Sequence, residues 1–383
     1  MICVSKTLRT LRGRHVTWIL ALVVILSVGG AMKARPSLDY YAHLVLGEAH
    51  ILLQREPITS IIADPSTSDT LRDSLQTVVR ARKFASRVLG LPNNASYTTY
   101  VDIGRPYVIY NVYATPALSL EPIRHCFALA GCVAYRGFYD LDRAREAAAT
   151  LRAAGNDVYI SGVSAYSTLG YFADPVLSSM LGWNDADLIG TVFHELAHQA
   201  LYVPGATAFN ESFATFVSRQ GLREWRQHNQ LPPRNTARQQ RHRQFTQLVL
   251  ATRAKLKTVY TSDLPDTMKR DRKQAAFAEL RQQYRHLRAT RWNGHGDRDH
   301  WIETSLNNAK LLPFGLYDQY VGAFIQLFQR SGGDWTLFYQ QARSIGDGSA
   351  GTRHAFLHAP TAPVKDTPDQ QPQLAADDAG ANA

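Results

Sequence analysis

His194-Glu-Leu-Ala-His198 places two histidines four residues apart, with a glutamate directly after the first. On an α-helix, positions i and i+4 share a face, so both imidazoles can reach one metal ion, and neutral imidazole is a preferred zinc ligand. Glu195 is rotated one position off that face, where its carboxylate can take a proton from an attacking water. Asn210-Glu-Ser-Phe-Ala214 opens a following helix and offers Glu211, thirteen residues beyond His198, as a third ligand. Pro204 and Gly205 lie between and let the chain double back. Two histidines and a carboxylate leave a fourth position for water, which distinguishes a catalytic zinc site from a closed structural one. The expected cofactor is therefore one Zn2+ per chain, held by His194, His198 and Glu211, with Glu195 as general base. Hydrolysis of a peptide at such a site also needs a donor for the oxyanion, and Tyr317 and Tyr166 are the candidates. The rival reading keeps the metal without the reaction: a zinc-bearing envelope scaffold or binding protein that uses a basic helical hairpin.

Stepping along the chain from these residues, the elements that hold them alternate between helix and strand patterns. Ser37 to Leu53 reads as a helix, and Ser68 caps a second over Leu71 to Leu89, stopped by Gly90 and Pro92. Tyr97 to Tyr100 and Tyr107 to Tyr113 are aromatic and β-branched, which predicts strands. An alanine-rich helix over Ala144 to Ala154 precedes a strand over Asp157 to Val163, a candidate edge for pairing with an extended peptide. Asn184 or Asp185 caps the histidine helix, and the next begins near Ala208. Two long polar helices, Arg234 to Thr258 and Thr267 to Arg291, flank the turn Ser262-Asp-Leu-Pro-Asp266, and helices over Thr304 to Arg330 and Trp335 to Ser344 follow. The loop His295-Gly-Asp-Arg-Asp-His300 has ligand-type residues without helical or strand spacing and reads as solvated. The fold class expected is α+β, predominantly helical.

His194-Glu-Leu-Ala-His-Gln199 followed by Phe209-Asn-Glu-Ser-Phe-Ala-Thr-Phe216 resembles a bacterial aminopeptidase family of the gluzincin type. Tyr40-Tyr41, Tyr135-Arg-Gly137, Ala165-Tyr-Ser-Thr-Leu-Gly170, Asp174-Pro-Val-Leu177 and Leu306-Asn-Asn-Ala309 extend the resemblance from Tyr40 to about Ser344. It implies a zincin-like peptidase domain over residues 35–358, interrupted by a basic helical hairpin over 225–292. It also implies that His194, His198 and Glu211 bind zinc and that Glu195 is the base in peptide hydrolysis. The Gly-x-Met-Glu-Asn string that holds a free amine in the large zinc aminopeptidases is absent.

Charge and hydropathy set the surroundings. The 383 residues carry Lys+Arg 42 against Asp+Glu 32, a net +10, and three cysteines. Arg219 to Arg291 alone holds 18 basic and 5 acidic residues, so the basicity belongs to one segment. That segment lacks aromatic interleaving, so it offers no platform for stacking bases, and nucleic acid is not an expected partner. A helical arm that touches an anionic membrane or a partner is the expectation instead. Lys6, Arg9, Arg12 and Arg14 precede an uncharged run from Val16 to Met32, so residues 1–34 read as a signal peptide or a membrane anchor. The body is then expected in the cell envelope, either anchored to the inner membrane and facing the periplasm or secreted there, with a peptide or protein as substrate. An oxidising compartment permits a disulfide between Cys126 and Cys132, and two buried thiols are the other reading. Residues 359–383 lack aromatics and read as a disordered tail.

Overall fold

The structure, a computed structural model, describes residues 38–127, 131–181, 184–232, 236–317 and 320–359. The N-terminal segment 1–34 and the tail from residue 360 lie outside them. α1 (Leu38–Leu53), β1 (Glu56–Pro57), α2 (Ile58–Ala63) and α3 (Asp69–Arg87) come first. β2 (Thr99–Val101), β3 (Ile109–Pro116), β4 (His125–Phe127), β5 (Gly131–Val133), β6 (Tyr135–Phe138), α4 (Leu141–Ala153), β7 (Asn156–Val163) and β8 (Val176–Leu177) follow. The chain then turns helical: α5 (Ser178–Leu181), α6 (Asp185–Ala200), α7 (Thr207–His228), α8 (Thr236–Thr261), α9 (Asp266–Thr290) and α10 (Asp299–Glu303). A 3-10 turn (Ala309–Leu311) leads to α11 (Leu312–Tyr317), α12 (Val321–Arg330), α13 (Trp335–Asp347) and α14 (Ala350–Leu357). The fold is mixed α+β and mainly helical, with small sheets.

The largest antiparallel ladder has β3 at its centre, between β6 and β7, with Val112 opposite Arg136 on one side and Ile160 on the other. Alternation along these strands sends Val112, Ala114, Phe138 and Val158 to one side, where Tyr40 of α1 and Ala144 and Ala148 of α4 cover them. A smaller mixed sheet joins β1, β2 and β8, and β4 pairs with β5 in a separate hairpin. Residues 97–98, expected to begin a strand, do not: Tyr97 takes φ 59 and donates its N–H to the Asp174 carbonyl.

The main core lies among α3, α6, α7, α12 and α13. Phe193, Phe209, Phe213, Phe324 and Phe338 are all buried there, and Phe213 stacks on Phe338 with ring planes 8° apart. Gly221 sets the close approach of α7: a Cβ at that position would lie 2.5 Å from Leu89 and 3.0 Å from Phe193.

The expected hairpin over 225–292 begins later, because α7 continues to His228 and Trp225 packs edge-on against Phe84. α8 and α9 form the hairpin and own a second core of Phe245, Leu248, Val249, Phe277, Leu280 and Tyr284, closed by Trp292 and Trp301. The loop at 293–299 is tied down: Asp297 pairs with Arg241, and Asp299 pairs with Arg288 and accepts from the Tyr284 hydroxyl. The single helix expected over Thr304 to Arg330 is broken. Asn307 donates to the Val158 carbonyl and Asn308 to the Ala117 and Ser119 carbonyls, which pins the segment to the strands before α11 can start.

Candidate metal site

α6 begins where Asn184 accepts a hydrogen bond from the Asp187 N–H, 3.1 Å away, with Asp185 and Asp187 in the first turn complementing the helix dipole. Every residue from Asp187 to His198 is buried. Such a helix has no solvated face, so its histidines must find partners inside the protein. It ends at Ala200, whose carbonyl accepts from Arg343.

The chain then doubles back within six residues. Gly205 adopts φ 75, and the Ala206 N–H closes a turn onto the Val203 carbonyl. Asn210, 1% exposed, locks the turn from the far side: its Oδ1 accepts from the Val203 N–H at 2.9 Å, and its Nδ2 donates to the Val203 carbonyl at 2.8 Å. The next residue is Glu211. Its Oε2 lies 3.4 Å from His194 Nε2 and 3.6 Å from His198 Nε2, and the two Nε2 atoms are 3.1 Å apart. The three residues are the group among the described residues that could hold a metal ion.

These separations fit a bound cation. A tetrahedral zinc site with bonds of ~2.0–2.1 Å has ligand-to-ligand edges of roughly 3.3–3.4 Å. The three observed edges straddle that value. A single shared proton bridges only one edge of the triangle, whereas a cation satisfies all three lone pairs at once.

The electrostatics separate the two glutamates. Burial alone raises the Glu211 carboxyl, but the positive charge and hydrogen bonds offered by His198 and His194 outweigh it and hold the group down to about 2. Glu195 has no such partner; burial pushes it up to about 7, with Glu211 and Asp174 adding to the rise and His198 opposing it. One carboxylate is thus fixed as an anion, and its neighbour sits near the neutral range where a group can both take and return a proton. His194 is lowered by burial, while in His198 the charge of Glu211 overcomes burial and raises it.

A second network lies behind His198. Gln199 donates to Asp174 Oδ2 and Ser96 Oγ, both at 3.2 Å, and accepts from Asn94. Asp174, 1% exposed, also receives the Thr168 hydroxyl at 2.6 Å. Burial raises it to about 6 against these hydrogen bonds, and the Glu48 charge adds to the rise.

The sequence candidates outside this triad fare differently. The Tyr166 hydroxyl donates to Glu48 of α1 at 2.6 Å. Tyr317 ends α11, and its side chain lies outside the described residues. β7 is an edge strand as the peptide-binding idea requires, but its rim is occupied by Asn307 on the Val158 carbonyl and by Lys273 and Asn308 on Asp157. The opposite edge, β6, carries Tyr135, whose hydroxyl feels Glu211 most strongly after burial, and Tyr202 just past α6 is coupled to Glu211 in the same way. In the sequence, Tyr135 figures only within the Tyr135-Arg-Gly137 string and without a role, and Tyr202 not at all, since nothing in local spacing marks a strand residue as a neighbour of a distant helix. Cys126 and Cys132 face each other across the β4–β5 hairpin and form a disulfide. The hairpin rests on the turn after α6, where Gly131 approaches so closely that a Cβ would lie 2.5 Å from the Gly205 nitrogen.

No curated protein and no solved structure matches the chain. A sequence model of one family, described as "Putative aminopeptidase", matches residues 39–357, a span that contains every element from α1 to α14 apart from the first residue of α1. The chain belongs to that family.

Proposed function

We propose that this protein is a zinc-dependent peptide hydrolase with a zincin-like site of the gluzincin type. His194, His198 and Glu211 hold one zinc ion, and Glu195 handles the proton. The observation that carries this reading is the meeting of three buried donor atoms within 3.1–3.6 Å of one another, next to a fourth buried carboxylate outside the triad. Bound there, zinc polarises a carbonyl and activates the attacking water.

The chain's own residues do the rest. Glu195 accepts a proton from the water as its oxygen bonds to the carbonyl carbon, and delivers that proton to the amide nitrogen as the C–N bond breaks. Asn210 holds the Val203 turn so that Glu211 stays beside the imidazoles. Tyr135 and Tyr202 join Tyr317 and Tyr166 as candidates for the oxyanion donor. The family description favours a substrate with a free amino end. The basic then apolar N-terminus supports attachment to the inner membrane or release into the periplasm, with a peptide or protein as partner and no nucleic acid.

Glu195→Gln tests the reading. The variant should retain one zinc by elemental analysis, while cleavage of a peptide mixture, read by mass spectrometry, falls by about 10²–10⁴. Loss of single residues from free amino ends identifies an aminopeptidase, and internal cuts identify an endopeptidase. Zinc-loaded, unmutated protein that cleaves nothing would leave the non-catalytic scaffold.

A further inference from the structure

We infer that the outward face of α1 is a membrane-docking surface that lies in the boundary between lipid headgroups and acyl chains. This extends the membrane association in the proposed function and rests on it. At 100° per residue, Leu38, Ala42, Val45, Leu46, Ala49 and Leu53 fall in a stripe about 100° wide. Leu38 is 74% exposed, Val45 53%, Leu46 69% and Leu53 86%. The opposite face is already used: Tyr40 and Ile51 are buried, and the Tyr40 hydroxyl bonds to the Gly137 carbonyl. A surface helix normally turns its charges outward, and α1 instead keeps Asp39 and His50 at the border of an outward stripe that carries no charge. An exposed apolar stripe of this width marks an unfilled interface.

The chain itself identifies the occupant. The uncharged run Val16 to Met32, with four cations before it, ends five residues before Leu38. The six steps from Met32 to Leu38 span at most ~22 Å, so a chain held by that run brings α1 to the bilayer surface. A loop tied to the end of α1 presents two large exposed aromatics. Arg55 donates to the Leu52 carbonyl at the end of α1 and to the Ala173 carbonyl, in the loop that presents Tyr171 at 65% and Phe172 at 49% exposure. Aromatic residues of this kind favour the membrane interface. The same loop connects the surface to the candidate site: Tyr166 bonds to Glu48 of α1, and Asp174 bonds to Gln199 beside His198. The helix that carries the docking face is thus hydrogen-bonded into the loop that supports the site, and peptide chains tethered to the membrane are the substrates that docking would favour.

The test uses the full chain in vesicles of phosphatidylethanolamine and phosphatidylglycerol. In a Cys3→Ser background, an environment-sensitive NBD probe is attached at Leu46→Cys, Leu53→Cys or Phe172→Cys, with the exposed Gln340→Cys on α13, outside the basic hairpin, as the control. The three patch probes should brighten severalfold, shift to the blue and be quenched by doxyl-labelled lipid, while the control does none of these. Patch probes that behave like the control on vesicle-bound protein overturn the proposal and leave membrane association intact. Probes shielded equally in lipid-free protein, with shielding lost on dilution, assign the face to a second copy of the chain and also overturn it. A full chain that does not float with vesicles removes the membrane association and the docking face together.

Discussion

The two antiparallel helix pairs, α6–α7 and α8–α9, handle charge in opposite ways. In the first, the ionisable groups of the site are buried: His194, Glu195 and His198 are 3%, 7% and 8% exposed, and three of the four site groups converge on one point. In the second, the charged groups lie outside an aromatic core, and several pair at the surface, as in Lys255–Glu279, Arg285–Glu303 and Arg288–Asp299. Burying charge without a partner costs several kcal/mol per ion, so a protein tolerates it where the charge performs chemistry. Part of the basic excess that distinguishes the hairpin in the sequence is met by acids beyond it, at Asp157, Asp297, Asp299 and Glu303. The site pair, unremarkable in net charge, carries the unusual electrostatics.

If the pairs are independent in this way, breaking the hairpin core should leave the metal site standing. Phe245 is 1% exposed and contacts Tyr284, Trp301 and Phe314. Phe245→Ala is expected to cost about 3–5 kcal/mol, read as faster hydrogen exchange across α8 and α9, with zinc stoichiometry unchanged. Loss of zinc in this variant would mean that the two pairs fold as one unit.

The reverse experiment removes one polar clamp from the site pair. Asn210→Ala leaves the half-buried Val203 N–H without its acceptor, at about 1 kcal/mol, while the Val203 carbonyl keeps the Ala206 N–H, and it loosens the turn that positions Glu211. Zinc affinity should fall about 10–100-fold, measured by competition with a chromophoric chelator. An unchanged affinity would show that helix packing alone fixes Glu211.

How legible this was in the sequence depends on the range of each interaction. The spacing of His194 and His198 follows from helix geometry, and the caps at Ser68 and Asn184 are local, so pattern reading reaches them. Glu211 was legible because Pro204 and Gly205 announce a turn. The Asn210 clamp was not, since bonds from a side chain to the backbone seven residues away leave no periodic trace. Nor was the break between Thr304 and Arg330: Asn307 and Asn308 carry ordinary helical neighbours, and only their distant carbonyl partners on β7 and after β3 override the propensity. The pairing of β1, β2 and β8 rests on strands of two or three residues, too short for any alternation to register.

Asp174 sharpens the electrostatic side of the comparison. Its carboxyl is raised to about 6 in the folded protein, above the unfolded value of ~3.9, so the folded state holds the proton longer. Its contribution to stability is therefore greatest below pH ~4 and is lost as pH rises to about 6, by roughly 2–3 kcal/mol in all. Urea unfolding of Asp174→Asn and unmutated protein across this interval should show the fall only in the latter. Equal slopes would mean that Gln199, Thr168 and Ser167 stabilise the anion fully.

The smallest effect belongs to the hairpin surface. Lys255 and Glu279 pair across α8 and α9 with side chains 52% and 44% exposed. At that exposure water and salt screen the attraction, and ordering two long side chains offsets much of what remains, so a double-mutant cycle should give about 0.2–1 kcal/mol. The coupling should vanish in high salt, while the stability contributed by Phe245 persists. A coupling well above this range would make the matched charges structural rather than incidental to the hairpin, and the contrast with α6–α7 would then rest on chemistry alone and not on where each pair finds its stability.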